Sequence, residues 1–471
     1  MTVSPAYRPE PRLPRLGSEF ADEVKAADFP QTLLRFRNQR AAASVGLDTL
    51  SDLEWQTHFG RFEPLPGNLA TPLAQRYHGH QFRVYNPDLG DGRGFTFAQM
   101  REVGSDRLLD LGTKGSGPTP WSRQGDGRLT LKGGVREVLA TAMLEALGVN
   151  TSKTFSLIET GEDLHRNDEP SPTRSAVMVR LSHSHIRFGT FQRQAYLQQP
   201  EQIKRLVDYV IETYYPDLGD ATNRRAALLD AVIAKTAVMA AGWMAAGFVH
   251  GVLNTDNMNI TGESFDYGPY RFLPRNDPNF VAAYFDQNGL YRFGRQPEAV
   301  FWNLQQLAAC LALGEADQEP LVAALNAFGG TYRTALAGAM LKRLGIKLGD
   351  PETDVALAGS AFKALSVGGD VLRWEPFFFD WFCGDADRAL ASPRRELYEA
   401  PEFADFRALI STRQADRPER LTDGYFARPD PQELLIDEIE AIWSAIAERE
   451  DWSAFDQKLV DLETIRTAYA L

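Results

Sequence analysis

Cysteine is scarce in this sequence. Its 471 residues hold two, Cys310 and Cys383, too few for a disulfide framework or a four-thiolate zinc site, which points to a reducing compartment and a cytoplasmic setting. Positive charge is also in deficit. Lys and Arg number 50 against 63 Asp and Glu, a formal net charge of −13, so no general nucleic-acid-binding surface is implied. Long apolar runs are missing: the most apolar stretch, 236–249, has 14 residues, where a bilayer span needs roughly 20. It reads as a core helix, and no membrane insertion is expected. The N-terminus has prolines and arginines where a signal peptide has about 7–15 apolar residues, so it reads as a loose arm. Internal repeats and low-complexity tracts are lacking as well. The remaining balance, 44% hydrophobic and 24% charged, is that of a folded globular protein, long enough for two to four domains or lobes at roughly 100–200 residues each.

The pattern divides the chain into four regions. Residues 1–70 are punctuated by proline, with one helical candidate at 29–43, and read as an N-terminal extension packed on the core of the protein. Residues 71–200 turn extended. Three strands are expected between Arg83 and Lys114, within FRVY, FTFAQMREV and RLLDLGTK, separated by NPDLGDGRG and GSD turns. Eleven glycines fall within the 45 residues 90–134, against 38 in the whole chain, a density that marks backbone in close approach to something. Apolar residues Val135, Val138, Leu139, Ala142 and Ala146 then recur at helical spacing, with Gly148 to end the helix. Strands resume in KTFSLIET and SAVMVRLS. Residues 201–300 are read as helical, over 202–215 and 223–249, delivering the polar segment HGVLNTDNMNITGESFDYG. Residues 301–471 are a further helical region, broken at DRPERLTDGYFARPDP.

A glycine turn, a lysine on the third strand, a glutamate on the next helix, and later an Asn and an Asp reproduce the order of parts in a protein kinase. Singly each is weak. Lys114 alone would be a solvated lysine, Glu137 a surface charge, and GDGRG a plain hairpin. Together they count, because a buried phosphate-binding lysine needs a carboxylate to hold it. The kinase loop pattern H-R-D-x-x-x-x-N compares with His250, Val252 and Asn257 here. The metal-binding Asn is present and the usual base is replaced by valine. Asp266 in Asp-Tyr-Gly comes next, and an amide with a carboxylate suits Mg²⁺, which takes few protein ligands beside phosphate and water. Two options stay open on this reading: a nucleotide binder without activity, or catalysis by another carboxylate, for which Asp256 is the candidate.

The motifs YHGHQF, LGDGRG, GTKGSGPTPWSRQGDGRLTL, HGVLNTDNMNI and DYGP, long and correctly ordered over about 60–300, resemble the selenoprotein O family. That resemblance implies an α+β, protein-kinase-like (pseudokinase) bilobal fold with an additional helical C-terminal region. It implies AMP transfer from ATP to Ser, Thr or Tyr hydroxyls of proteins, the enzyme itself included among the acceptors, with ATP bound in a flipped orientation. Gly90, Gly92, Arg93, Asp126 and Gly127 would contact the nucleotide. Lys114, paired with Glu137, would hold phosphates, and Arg180 and Arg187 would grip the terminal phosphate, a task for which guanidinium forks are suited. Asp256 would be the general base, and Asn257 and Asp266 the ligands of Mg²⁺, for which Mn²⁺ could substitute. The chain departs from the family in lacking a cysteine after Asp-Tyr-Gly, where it reads Phe280-Val281-Ala282-Ala283, and a cysteine- or selenocysteine-bearing tail before Leu471. Redox control through those positions is not expected. The rival functions are γ-phosphoryl transfer, opposed by Val252, and a non-catalytic nucleotide scaffold, opposed by the presence of both metal ligands.

Overall fold

The computed structural model describes residues 3–167 and 169–471. Twelve strands are formed among them: β1 (Ala21–Glu23), β2 (Leu33–Arg37), β3 (Leu73–Gln75), β4 (Gly79–Gln81), β5 (Val84–Asn86), β6 (Thr96–Arg101), β7 (Leu108–Lys114), β8 (Leu129–Thr130), β9 (Lys153–Leu164), β10 (Thr173–Ser182), β11 (Phe248–Val249) and β12 (Arg271–Phe272). The main sheet is antiparallel and runs β1-β3-β6-β7-β10-β9-β2, with β8 pairing β10. Residues 1–70 thus supply both of its outermost strands.

Both faces of this sheet are covered, so its central strands read as nearly continuous apolar runs rather than alternating ones. The alternation is still there. Ala176 and Met178 of β10 join a core with Leu131, Val135, Val138 and Leu139 of the helix Leu131–Ala146, while Val177 and Val179 join one with Val45, Leu47, Trp55 and Phe59. Trp55 stacks on Phe155 and donates its ring N–H to Ser156 Oγ at 2.9 Å. The helix starts at Thr130, whose hydroxyl accepts the Gly133 N–H, and it lies close on β9: a Cβ built on Gly134 would sit 2.4 Å from Leu157 Cδ1.

This register positions the site. Lys114 pairs with Met178 and Gly112 with Arg180. Residues directly opposite share a face, so Lys114 and Arg180 both project to the side where the helix Leu131–Ala146 lies, and with it Glu137.

Three local expectations change. Residues 29–43 do not form one helix; they form β2, which covers the free edge of β9, and then the helix Gln39–Ser44 capped by Asn38. FRVY does not enter the main sheet. Phe82 and Arg83 are the turn, at φ 49° and 65°, of a separate β4–β5 ribbon, and Asn254 Oδ1 accepts the Phe82 N–H at 3.0 Å. The expected helix over 223–249 stops at Ala245, because Gly247 turns at φ 59° and β11 pairs with β12.

Below the sheet the chain is helical: Pro200–Tyr214, Arg224–Ala245, Gln296–Leu311, Glu319–Arg343, Pro351–Val367, Ile436–Arg449 and Ser453–Tyr469 among others. The last of these packs back on Leu131–Ala146. Arg224–Ala245 is, among the described residues, the one helix long and apolar enough to cross a membrane, and its most apolar stretch is mostly buried inside the protein. A second apolar core gathers Trp374, Phe377, Phe378, Trp381 and Phe406 against Pro351–Val367.

Candidate active site

A cleft of about 900 Å³ opens between the sheet and the helical part. Gly90, Gly92, Arg93, Lys114, Asp126, Gly127, Arg180, Arg187, Asp256, Asn257 and Asp266 line it, and Val252 does too. Glu137 stands behind the wall, fully buried, and its Oε2 accepts from Lys114 Nζ at 2.6 Å. Lys114 is itself buried and also contacts Asp266 Oδ1 at 2.8 Å. Arg180 Nη1 lies 3.5 Å from Glu137 Oε1 and 3.4 Å from Asp266 Oδ1. Two cations and two carboxylates therefore meet within 3.5 Å of one another, with Lys114, Arg180 and Glu137 buried and Asp266 facing the cleft, and losing one would leave a buried charge undercompensated.

Asp266 occupies the left-handed region at φ 65°, a conformation Asp tolerates better than most residues. Its Oδ2 accepts from Asn257 Nδ2 at 3.0 Å. Burial alone would raise its pKa, but Lys114, Arg180, Arg93 and Arg187 outweigh that and hold it well below the usual carboxylate range. It is a fixed negative charge. Among the described residues no group of three or more His, Cys, Asp or Glu could hold a metal by itself. One amide and one carboxylate in contact instead fit a hard cation that takes most of its ligands from phosphate and water.

Asp256 lies in the short 3-10 turn Thr255–Asn257. Its Oδ1 is enclosed and has no hydrogen-bond partner, and a Cβ on Gly79 would come within 3.2 Å of it. Burial pushes its pKa up to about 6, opposed by Arg187. Arg187 is buried, donates to the Asp256 carbonyl at 2.9 Å and to Asp91 Oδ1 at 3.2 Å, and lies over the rings of Tyr77 and Phe265. His250, also buried, is kept neutral by burial and contacts the Phe265 carbonyl through Nε2 at 3.0 Å.

The glycine density has a partly internal cause. A Cβ on Gly90 would strike the Trp121 ring at 2.4 Å, and one on Gly127, at φ 67°, would meet Gly117 C at 2.2 Å. The two glycine turns are folded onto each other, with Ser122 Oγ donating to the Gly92 carbonyl at 2.5 Å. Arg93 is exposed at the edge of this turn.

Against known proteins, the family model described as protein adenylyltransferase SelO matches residues 5–463. The chain belongs to the SelO family. A SelO-family relative in Synechocystis sp., named protein nucleotidyltransferase YdiU, is 45% identical over 97% of this chain and 98% of its own length. A protein of the same name in Gloeobacter violaceus is 44% identical over 95% and 93%, and one in Synechococcus elongatus is 52% identical over 72% and 68%.

Several residues of this SelO-family cleft carry no signal in the sequence pattern. Asp91 lies inside GDGRG, where the glycines draw attention, yet it accepts the Gln75 N–H at 3.0 Å and pairs with Arg187. Arg166, from the β9–β10 connection, pairs with Asp126 at 2.7 Å across the cleft mouth. No local pattern connects residues forty apart. Asn254 and Thr255 read in the sequence only as neighbours of Asp256; they accept the backbone N–H groups of Phe82 and His80 and so dock the β4–β5 ribbon beside it.

Proposed function

We propose that the chain is a protein adenylyltransferase of protein-kinase-like, two-lobed architecture, moving AMP from ATP to Ser, Thr or Tyr hydroxyls of acceptor proteins and of itself. The observation that carries the reading is Asp256, a carboxylate lining the cleft next to Asn257 and four residues beyond the valine that stands where a kinase has its base. In the proposed reaction the acceptor oxygen bonds to the α-phosphorus, the bond from that phosphorus to the bridging oxygen breaks, and diphosphate leaves. Asp256 takes the hydroxyl proton. Lys114, held by Glu137, and the buried Arg180 and Arg187 offer fixed positive charge to phosphates, which supports ATP bound with its terminal phosphates inward. Gly90, Gly92, Arg93, Asp126 and Gly127 border the nucleotide's path. Asn257 and Asp266 would hold Mg²⁺ or Mn²⁺, which when bound supplies charge neutralisation at the phosphates. The two free, buried thiols support a cytoplasmic setting.

The test uses two labels. With ATP and Mg²⁺, α-phosphate label enters protein and γ-label does not; protein-bound γ-label without α-label would make the chain a phosphotransferase, and binding with neither would make it a scaffold.

A further inference from the structure

A second cleft, of about 780 Å³, lies away from the first between the helices Arg224–Ala245 and Glu319–Arg343. Its size is that of a small-molecule site. Small residues make room for it: Gly242 and Ala245 on one helix, and Ala335, Gly338 and Ala339 on the other. Val149, Ala245 and Ile346 are buried in its walls, while Val238 and Leu348 stay 56% and 68% exposed at its rim. The lining is basic as well as apolar. Lys342, Arg343, Lys347 and Arg417 contribute against one acid, Asp416, which Arg417 already contacts at 3.2 Å. Lys342 and Lys347 are exposed and make no ion pair among the described residues. Arg343, 2% exposed, turns its guanidinium into the protein, where Nη2 donates to Glu375 at 2.7 Å and the group lies 4.5 Å from the Phe378 ring, so the free cations of the cleft are the two lysines.

An apolar trough with unpaired lysines at its edge selects against cations and against fully polar anions. We infer that this cleft binds a free medium-chain fatty acid, its alkyl chain between the two helices and its carboxylate between Lys342 and Lys347. Burying apolar chain and meeting a cation are separate contributions, so each can be removed alone.

The experiment is calorimetric titration of the full chain with octanoate, decanoate and decanol below their aggregation concentrations. At about 0.8 kcal/mol per buried CH₂, decanoate binds about 15-fold tighter than octanoate, and decanol at least tenfold weaker than decanoate. Lys342→Gln with Lys347→Gln brings decanoate toward decanol. Gly338→Phe abolishes binding of both without lowering the melting temperature, because a Cβ there meets only Leu348 Cδ2, at 4.0 Å, and glycine is the poorer helix former. Equal affinity for octanoate and decanoate, or decanoate binding unchanged in Gly338→Phe, overturns the inference. Binding to phosphatidylglycerol vesicles that Gly338→Phe removes, without binding of free decanoate, overturns it in favour of a membrane surface.

Discussion

Asp266 and Asp256 sit ten residues apart and occupy opposite electrostatic situations. Asp266 is hemmed by Lys114 and Arg180 and stays ionised; Asp256 has lost water, a loss that Arg187 and Arg123 offset only in part, so its carboxyl is easier to protonate. Different substitutions therefore fail differently. Asp266→Ala abolishes transfer and most of the Mg²⁺ dependence of ATP affinity, and also lowers the melting temperature of the free protein, since Lys114 and Arg180 lose a buried counter-charge. Asn257→Ala removes only a neutral ligand and is milder in all three. Titrating Mg²⁺ against ATP affinity in both variants checks this, and unaltered metal dependence in Asp266→Ala refutes the assignment. Asp256→Ala lowers the transfer rate by about 10²–10⁴-fold while ATP·Mg²⁺ affinity stays near wild type. A parallel fall in affinity makes it a ligand; no change in either removes it from the chemistry.

At the scale of elements, the segment between β11 and β12 is fastened to the sheet by backbone as well as side chains. Ser264 N–H donates to the Asn150 carbonyl and Ser152 N–H to the Ser264 carbonyl, each at 2.9 Å. Beside them Glu263 is buried, accepting the His183 N–H at 2.9 Å. Burial pushes its pKa up to about 7, with Lys153 and Arg107 opposing and Asp110 adding to the rise. A carboxyl whose folded pKa lies above its unfolded value favours folding while protonated, so this group's contribution is full below the unfolded value near 4.5 and fades as pH rises to about 7. Glu263→Gln lacks that loss: its stability relative to wild type rises between those limits and levels off above them, as chemical denaturation at a series of pH values will show. A constant difference across the range refutes it. The strands here differed in how legible they were. FTFAQMR and LLDLGTK announce themselves by composition, whereas LLRFR at β2 has nothing local to separate it from a helix start; the open edge of β9 decides it.

For the whole molecule, both cysteines prove to be packing residues. Cys310 Sγ donates to the Gln306 carbonyl one helical turn back, at 3.1 Å, and Cys383 Sγ to the Arg417 carbonyl, at 3.4 Å. Burial pushes the thiols up to about 12 and about 11 respectively, far from the thiolate that redox exchange needs. Activity is accordingly the same with and without reductant, and Cys310→Ser lowers the melting temperature without creating or removing a redox response; reductant-sensitive activity lost in Cys310→Ser refutes this. What the sequence by itself determined was the local and the ordered: a helix from Val135 onward by its apolar spacing, strands at β6, β7, β9 and β10, and the succession Lys114, Glu137, Asn257, Asp266 that named a chemistry. Only the tertiary structure decided which charges meet. Glu137 looks like a surface carboxylate in the sequence and is fully buried in the fold, because β7 and β10 present Lys114 and Arg180 on the face the helix covers. Arg166 reaches Asp126, and Asp91 reaches Arg187, across 40 and 96 residues of chain. Periodicity reports a residue's neighbours within one element, three or four positions away; a buried ion pair is a relation between elements, set by the register and packing that bring them together.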